Sequence, residues 1–182
     1  MLTLKYSLDA NDFLSHQLYV ASKSAQVKKR RMRTRLVVPI IYVLIGTFLF
    51  FQKKEIFAIL FLVFALCWFF LYPLRDKNLY RKYYQKFIQE NYKERIGRKT
   101  EISFYDDHIF SKDIGAEGKI QMSELTEIIE LQDVFLIRLK TGVSVIIPKN
   151  KIPNPKEIAK YLKNLANKLK INFNQENDWV WK

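Results

Sequence analysis

The side chains best suited to chemistry in this chain form one tight cluster, Asp106-Asp107-His108. A carboxylate beside an imidazole can serve as a general acid and base. Adjacent aspartates between two short apolar runs are also typical of a turn between strands, because Asp bonds to its own backbone there. The flanking pattern favours the turn, so we expect no catalytic role for the cluster.

Other reactive residues are sparse. The two histidines, His16 and His108, do not have the spacing to carboxylates that a metal site needs. The single cysteine, Cys67, lies in an apolar run, where a thiol stays protonated and inert. No glycine-rich phosphate loop, nucleophile elbow or HExxH motif occurs. The sequence therefore predicts a protein that is not an enzyme, with no catalytic residue, no metal site and no cofactor.

Two uncharged apolar runs, 36–51 and 56–72, dominate the chain. As helices they would each be about 24–26 Å long, at the short end for a bilayer core of about 30 Å. Residues 52–55 leave room for a tight turn. We predict two membrane-spanning helices joined as a hairpin, with Trp68 and Tyr72 at the lipid–water interface. The alternative is a buried hairpin in a soluble core, but helices of soluble proteins usually keep a polar face.

The net charge of +13 is concentrated beside the apolar runs. Basic flanks mark the cytoplasmic side of a span, so we expect both termini in the cytoplasm. The same cations would attract anionic headgroups. The basic run comprises residues 28–35, KKRRMRTR. A nucleic-acid signal is the alternative interpretation of this run, but the adjacent span favours a topology determinant, and we expect no nucleic-acid partner. The expected membrane-surface contacts of these flanks are Lys28, Lys29, Arg30, Arg31, Arg33, Arg35, Arg75 and Lys77.

Local patterns predict the elements around the hairpin. Residues 1–35 hold a strand over 2–8 and a helix from 11 to about 35, with Asp9 as its cap and Asp12 in its first turn. The helix is expected to run straight into the first span. After Pro73, residues 74–97 form an amphipathic helix that ends near Gly97.

Residues 98–182 change to the period of β-strands. One hairpin turns at Asp106-Asp107, a glycine-containing turn and a strand follow over 114–123, and a second hairpin turns at Gln132-Asp133. Another strand follows the turn at Thr141-Gly142, and a helix begins at Asn154-Pro155. We predict one sheet of five or six strands closed by this helix. The N-terminal strand and helix are expected to dock on this domain.

The N-terminal pattern YSLDANDFLSHQLYVASKS at residues 6–24, the basic run, the hairpin and the C-terminal strands together resemble the YcxB-like family of small bacterial membrane proteins. The strongest patches are Tyr105-Asp106-Asp107, Ser123-Glu124-Leu125 and Ile146-Ile147-Pro148-Lys149. The resemblance covers nearly the whole chain and includes no catalytic signature. It implies a bacterial inner-membrane protein of α+β class. A two-helix transmembrane hairpin would carry a small antiparallel, pleckstrin-homology-like domain closed by a C-terminal α-helix.

This resemblance extends the expected membrane contacts to one loop. In a pleckstrin-like fold the basic residues Lys149 and Lys151 would meet headgroups; the alternative is a solvated turn before the last helix. The family has no established activity, and its scaffold hosts lipid, peptide and protein ligands alike, so the resemblance assigns no site residue.

We therefore expect a non-enzymatic, membrane-anchored binding or scaffold protein. Its cytoplasmic domain would face a protein partner or the membrane surface. The alternative is a subunit of a transport or envelope-stress assembly that contacts partners through the hairpin. Gly46, Ala58 and Ala65 are small enough to permit helix association, and the oligomeric state stays open.

Overall fold

A computed structural model of the chain describes residues 2–113 and 116–182. The chain divides into two compact units. The β unit joins the residues up to Gln17 to Gln85–Val180, and the helical unit holds Leu18–Tyr84 together with Trp181–Lys182. The unit that contains the C-terminal strands therefore extends beyond the predicted 98–182 segment, because it also includes the N-terminus of the chain.

Helix α1 spans Ala10–Lys23 and begins as the sequence predicts. The Asp9 carboxylate accepts from the backbone N–H groups of Asn11 at 2.8 Å and Asp12 at 3.0 Å. The Asp12 carboxylate accepts in turn from the Asp9 N–H at 2.8 Å. This reciprocal pattern satisfies N–H groups that have no partner within the helix.

The prediction of one continuous helix from residue 11 to about 35 is wrong, because the helix is interrupted at Ser24. Helix α2 spans Ala25–Phe51, and the Ser24 hydroxyl caps it by accepting from the Val27 N–H at 3.4 Å. Serine is a favoured cap because its short side chain can reach these free donors. From this cap, α2 runs on through the first apolar run without a further break.

The helix break expected at Pro73 is also absent. Helix α3 spans Glu55–Asn91 and contains Pro73 in its interior, just as α2 contains Pro39. A proline removes one backbone hydrogen bond, which long apolar helices tolerate when neighbouring groups compensate. The helix ends at Asn91, earlier than predicted. Gly97 adopts a φ of +78° in the turn that follows, and its N–H donates to the Leu8 carbonyl at 2.8 Å.

A three-residue turn joins α2 to α3, as the polar break predicts. Lys53 has a left-handed φ of 60°. Its N–H donates to the Phe50 carbonyl at 2.9 Å, and the Lys54 N–H donates to the Leu49 carbonyl at 3.1 Å. These two bonds form a Schellman motif, which normally has glycine at the left-handed position.

Small and aromatic side chains lie between α2 and α3. A Cβ atom on Gly46 would lie 3.2 Å from the Ala58 carbonyl, and Tyr42 lies 6.0 Å from Phe61 between ring centroids. Ala58 and Ala65 are buried. Outside this contact the helices stay exposed, with only 6% of the most apolar window of α2 and 11% of that of α3 buried. Both are long and apolar enough to cross a membrane.

The first sheet of the β unit is an antiparallel meander of strands β1 (Leu2–Ser7), β2 (Lys99–Phe104), β3 (His108–Asp113) and β4 (Ala116–Gln121). Strand β1 pairs with β2 from Leu2↔Phe104 to Ser7↔Lys99, which confirms that the N-terminal strand docks. Strands β2 and β3 form the hairpin predicted at Asp106-Asp107. Part of the glycine-containing turn, residues 114–115, lies outside the described residues.

The second sheet contains β5 (Leu125–Glu130), β6 (Val134–Leu139), β7 (Ser144–Pro148) and β8 (Asn172–Gln175), in the order β7-β6-β5-β8. The prediction of one sheet is therefore wrong, because a short 3-10 turn at Met122–Glu124 ends the first sheet. Strand β8 was not predicted. It pairs parallel to β5 because helix α4, Pro155–Leu169, crosses over before it.

Both sheets and α4 share one hydrophobic core. The Tyr6 hydroxyl of β1 donates to the Ile146 carbonyl of β7 at 2.8 Å and thus ties the two sheets together. Pro155 occupies the first turn of α4 as predicted, although Asn154 before it makes no capping bond with its side chain. The largest fully buried side chains are Leu4, Ile88, Ile102, Phe104, Ile109, Ile128, Ile129, Phe135, Leu136, Ile137, Ile147 and Leu162. The α+β class is confirmed.

Candidate functional site

The ten residues predicted to contact the membrane surface fall into two groups. Eight belong to the helical unit, and Lys149 and Lys151 belong to the β unit. In the helical unit, six of the eight are exposed and have no carboxylate partner among the described residues. These six are Lys28, Lys29, Arg30, Arg33, Arg75 and Lys77. Their charges are available to an external anion.

Among the described residues, Arg31 is the one cation of the basic run with a carboxylate partner. Its Nε donates to the Asp76 carboxylate, which is only 4% exposed, and its Nη2 donates to the main-chain oxygen of Lys182 at 2.7 Å. The Tyr72 hydroxyl donates to the same carboxylate at 3.1 Å. The Arg31 guanidinium also lies 4.7 Å from the Trp181 ring centroid. Arg31 therefore holds the helical unit together internally.

Arg35 and Arg75 contact aromatic rings. The Arg35 guanidinium lies 4.3 Å from the centroid of Phe69, and that of Arg75 lies 6.0 Å from Trp68. Such cation–π contacts orient a guanidinium without neutralising it. The Nε of Arg35 and the Nε1 of Trp68 are buried without a hydrogen-bond partner among the described residues.

Lys149 has partners inside the β unit. Its Nζ donates to the Glu130 carboxylate at 2.9 Å and to Asn177 at 3.2 Å, and it lies 4.8 Å from the Phe135 ring centroid. Glu130 is only 8% exposed and also accepts from Gln175 at 3.1 Å. This geometry accounts for the charge of Lys149 without a headgroup.

Lys151 forms a second internal ion pair. Its Nζ donates to Asp9 at 2.7 Å and to Asp12 at 2.6 Å, so it ties the segment before α4 to the start of α1. Burial by itself would lower the pKa of Lys151, but the hydrogen bonds to Asp12 and Asp9 outweigh it and raise that pKa. Whether Lys149 and Lys151 also meet headgroups stays a prediction, now weighed against these internal partners.

The Asp106-Asp107-His108 cluster lies at the turn between β2 and β3, as predicted. The Tyr105 N–H donates to the His108 carbonyl at 2.9 Å, which closes the turn. The His108 ring is stacked on Tyr105 and lies 2.6 Å from the Asp107 carboxylate through Nδ1. That hydrogen bond lowers the pKa of Asp107. Asp106 binds Lys168 of α4 at 3.1 Å, so the cluster connects elements of the β unit.

His16 lies on α1 in a different environment. Its Nε2 is buried without a hydrogen-bond partner among the described residues. Burial, followed by the nearby charge of Arg138, lowers the pKa of His16 to about 4. Arg138 is itself paired with Glu127 at 3.0 Å. Within the described residues, no group of three or more metal-ligating side chains occurs.

A surface cleft of about 690 Å³ lies at one end of the first sheet. Its charged lining comprises Lys5, Lys99, Lys112, Lys151, Glu101 and Asp113. Most of these cations already have acidic partners: Lys5 binds Glu101 at 3.2 Å, and Lys112 binds Glu117 at 2.7 Å. The cleft is therefore close to charge balance and presents no strong preference for an anion.

Comparison with known families finds a match within the β unit. Residues 104–165 match the model of the family described as YcxB-like protein. This stretch forms a YcxB-like domain. The match confirms the resemblance to the YcxB-like family over residues 104–165. No curated protein and no solved structure matches the chain.

The YcxB-like match runs from the last residue of β2 into α4. It includes β3 and β4 of the first sheet and β5, β6 and β7 of the second, but not β1, β8 or the rest of β2. Asp9, Asp12 and Asp76 are the carboxylate partners that the sequence analysis did not assign to these cations. Their acidic character is visible in the sequence, but the cations they bind lie between 45 and 142 residues away.

Proposed function

We propose that this protein is an integral membrane protein of the bacterial inner membrane. In this proposal α2 and α3 cross the membrane as a hairpin, and the YcxB-like β unit lies on the cytoplasmic side. There it acts as a non-enzymatic binding or scaffold module for a protein partner or for the membrane surface. The exposed apolar hairpin, inserted between two paired strands, is the observation that carries the proposal.

The apolar surface supports a lipid environment. Leu44 is 64% exposed, Ile56 is 75% exposed and Phe51 is 81% exposed. A core helix of a soluble protein would bury such side chains, and an apolar surface of this extent would associate in water. Lipid covers it without requiring a protein partner.

The strand pairing supports an even number of crossings. The chain leaves the first sheet at Ser7 and returns at Lys99, and these two residues are register partners. A single sheet cannot lie on both sides of a membrane, so the segment between them must return to the side it left. Two crossings satisfy this condition, and the basic flanks favour the cytoplasm for that side.

The unpartnered cations support contact with anionic headgroups. Arg33 and Arg75 are each three residues beyond an apolar run, and Lys77 is five residues beyond. Along a helix these separations are about 5–8 Å, which is the depth of the headgroup layer. Each such cation contributes on the order of 1 kcal/mol of attraction to an anionic surface.

We further propose that the β unit is pleckstrin-homology-like. Two mainly antiparallel sheets closed by α4 fit the scaffold that the resemblance implies. The fold alone does not determine which ligand the unit binds. The alternative function, in which the hairpin contacts other membrane subunits, receives no support from its small residues, since Gly46 lies against Ala58 within the hairpin itself.

Cysteine labelling tests the membrane arrangement. In a Cys67→Ser background, Lys54→Cys at the hairpin turn should react with an impermeant maleimide in spheroplasts. Lys156→Cys, on the exposed surface of α4, should react only after permeabilisation. Labelling of Lys156→Cys from outside, or release of the chain by alkaline carbonate, would refute the proposal.

Liposome flotation then tests the binding role. A piece that begins after the hairpin would lack β1, whose Leu4 and Tyr6 lie in the core. The suitable piece therefore joins residues 1–17 to 85–180 through a flexible linker. Salt-sensitive flotation with anionic but not neutral lipid would show that the β unit binds the membrane surface through charge. Absence of flotation would favour a protein partner.

A further inference from the structure

The cytoplasmic ends of α2 and α3 extend well past the headgroup layer in the membrane arrangement proposed above. Lys28 is eight residues before the first apolar run, and Tyr83 is eleven residues after the second. These separations correspond to about 12 Å and about 16 Å along the helix axes. The headgroup layer is only about 5–8 Å deep on each side, and a helix tilt of about 20° shortens the reach very little.

This outer region carries uncompensated positive charge. Lys28, Lys29 and Lys82 are exposed and have no carboxylate partner among the described residues. The sequence of the helical unit contains two acidic residues, Glu55 at the hairpin turn and Asp76, which is bound to Arg31. Within the helical unit, no carboxylate remains to neutralise the outer lysines.

Apolar side chains lie beside these charges. Leu79 is 51% exposed and Tyr83 is 62% exposed, although both lie too far out for the bilayer core to cover them. They are four residues apart on α3, and Lys82 is three residues after Leu79, so the three side chains share one helix face. Arg31 of α2 contacts Tyr80 of α3, which sets Lys28 and Lys29 close to the level of Lys82 and Tyr83.

We propose that these five residues, Lys28, Lys29, Leu79, Lys82 and Tyr83, form a docking surface for an acidic amphipathic segment of a partner protein. The inference deepens the binding role proposed above and rests on the membrane arrangement. The lysines pair with carboxylates of the segment, and its apolar side chains cover Leu79 and Tyr83. A nucleic-acid backbone would match the lysines but leave Leu79 exposed. Lipid headgroups would leave Leu79 and Tyr83 uncovered, because both lie beyond the headgroup layer, so the docked segment replaces the membrane contact expected of Lys28 and Lys29.

Peptide binding to the full chain tests the docking surface. The chain is placed in nanodiscs of phosphatidylcholine, which excludes anionic lipid from the measurement. The probe is a fluorescent amphipathic peptide of leucine and glutamate with leucines at helical spacing. A scrambled peptide of the same composition serves as the control ligand. Alkaline carbonate extraction of each variant from cell membranes reports insertion separately.

Charge and apolar variants should each weaken binding. We expect about a tenfold loss of affinity for Lys28→Gln with Lys82→Gln, and a similar loss for Leu79→Ser with Tyr83→Ser, because each pair removes one of the two kinds of contact. The matched controls are Lys54→Gln at the far turn and Val143→Ser, an apolar residue that is 61% exposed on the β unit. Both controls should bind as the unchanged chain does.

Three outcomes would overturn the inference. If the scrambled peptide binds equally well, or if the Leu79→Ser, Tyr83→Ser variant keeps its affinity, the surface is only a nonspecific cluster of cations. Displacement of the peptide by single-stranded RNA at lower concentration would assign the surface to nucleic acid. Loss of membrane insertion in the unchanged chain would instead refute the membrane proposal itself.

Discussion

Arg31 of α2 and Asp76 of α3 form an ion pair in which the carboxylate is almost completely buried. The pair neutralises one cation of a basic run whose other cations have no carboxylate partner among the described residues. Two further hydrogen bonds lie at this pair. The Tyr72 hydroxyl donates to Asp76, and the Trp181 indole donates to the carbonyl of the next residue, Lys77, at 3.1 Å. The last two residues of the chain thereby belong to the helical unit.

Breaking this pair should destabilise the helical unit. We expect Asp76→Leu to lower the free energy of unfolding by about 3 kcal/mol, because it leaves the half-buried Arg31 without a counter-charge. Arg31→Met combined with Asp76→Leu should cost less than Asp76→Leu alone. The measurement is denaturant unfolding in detergent, followed by the fluorescence of Trp68 and Trp181.

The control for this cycle is Arg33→Met, which removes an exposed cation without a carboxylate partner. It should change stability by less than about 0.5 kcal/mol. Strict additivity of the Arg31 and Asp76 substitutions would show that the two side chains are not coupled.

Replacing Lys151 should loosen the N-terminal segment of the β unit. Lys151→Met leaves the buried Asp12 without its cation, and we expect a loss of about 2–4 kcal/mol. Hydrogen exchange should show the change as lost protection in β1 and the start of α1. Lys156→Met, at an exposed position on α4, is the matched control. Unchanged protection of β1 in the Lys151 variant would contradict the structural role of the pair.

The stability of the β unit should fall in mild acid because of His16. Its pKa is lowered to about 4 in the fold, so the unfolded chain binds a proton first as the pH decreases. The stabilisation is complete above the ordinary histidine pKa of about 6.5 and is lost between that pH and about 4, by up to about 3 kcal/mol.

Unfolding measured across this pH range tests the assignment to His16. His16→Leu should flatten the slope between the two pKa values, because neither state then gains a proton at this position. The Asp9 carboxylate contributes to stability over a different pH range. Because its pKa is lowered, its contribution is lost only in stronger acid. A slope that persists in the His16 variant would assign the effect to another group.

Replacing Lys53 in the hairpin turn with glycine should stabilise the protein. Lys53 has a φ of 60°, a conformation that costs a non-glycine residue about 1 kcal/mol. Part of this gain is offset because glycine makes the unfolded chain more flexible, so we expect a net stabilisation of about 0.5 kcal/mol for Lys53→Gly. Lys54→Gly should destabilise by a similar amount. Thermal unfolding in detergent compares them, and equal effects of both variants would contradict the prediction.

Much of the local structure could be read from the sequence. The Asp9 cap, the turns at Asp106-Asp107 and Gln132-Asp133, and the start of α4 at Pro155 are all confirmed. These features depend on residues within a few positions of one another. Strand β8 was missed because its four residues, Asn172–Gln175, carry little apolar pattern and gain their order from β5.

The basic residues predicted to contact the membrane show the same division between local sequence features and distant contacts. Their clustering beside the apolar runs is a property of the sequence, and it located the cations of α2 and α3. The partners of Arg31, Lys149 and Lys151 are distant carboxylates, so no local pattern separates these three from the cations that stay exposed.

By itself, the sequence determined the two long apolar helices, the turn between them, the basic flanks and the α+β class. These follow from composition, periodicity and short-range backbone preferences. Only the tertiary structure decided that β1 completes the first sheet across the whole hairpin, that the strands form two sheets, and which cations are paired internally. Those outcomes depend on which distant surfaces bury each other, and burial free energy is a property of the assembled core.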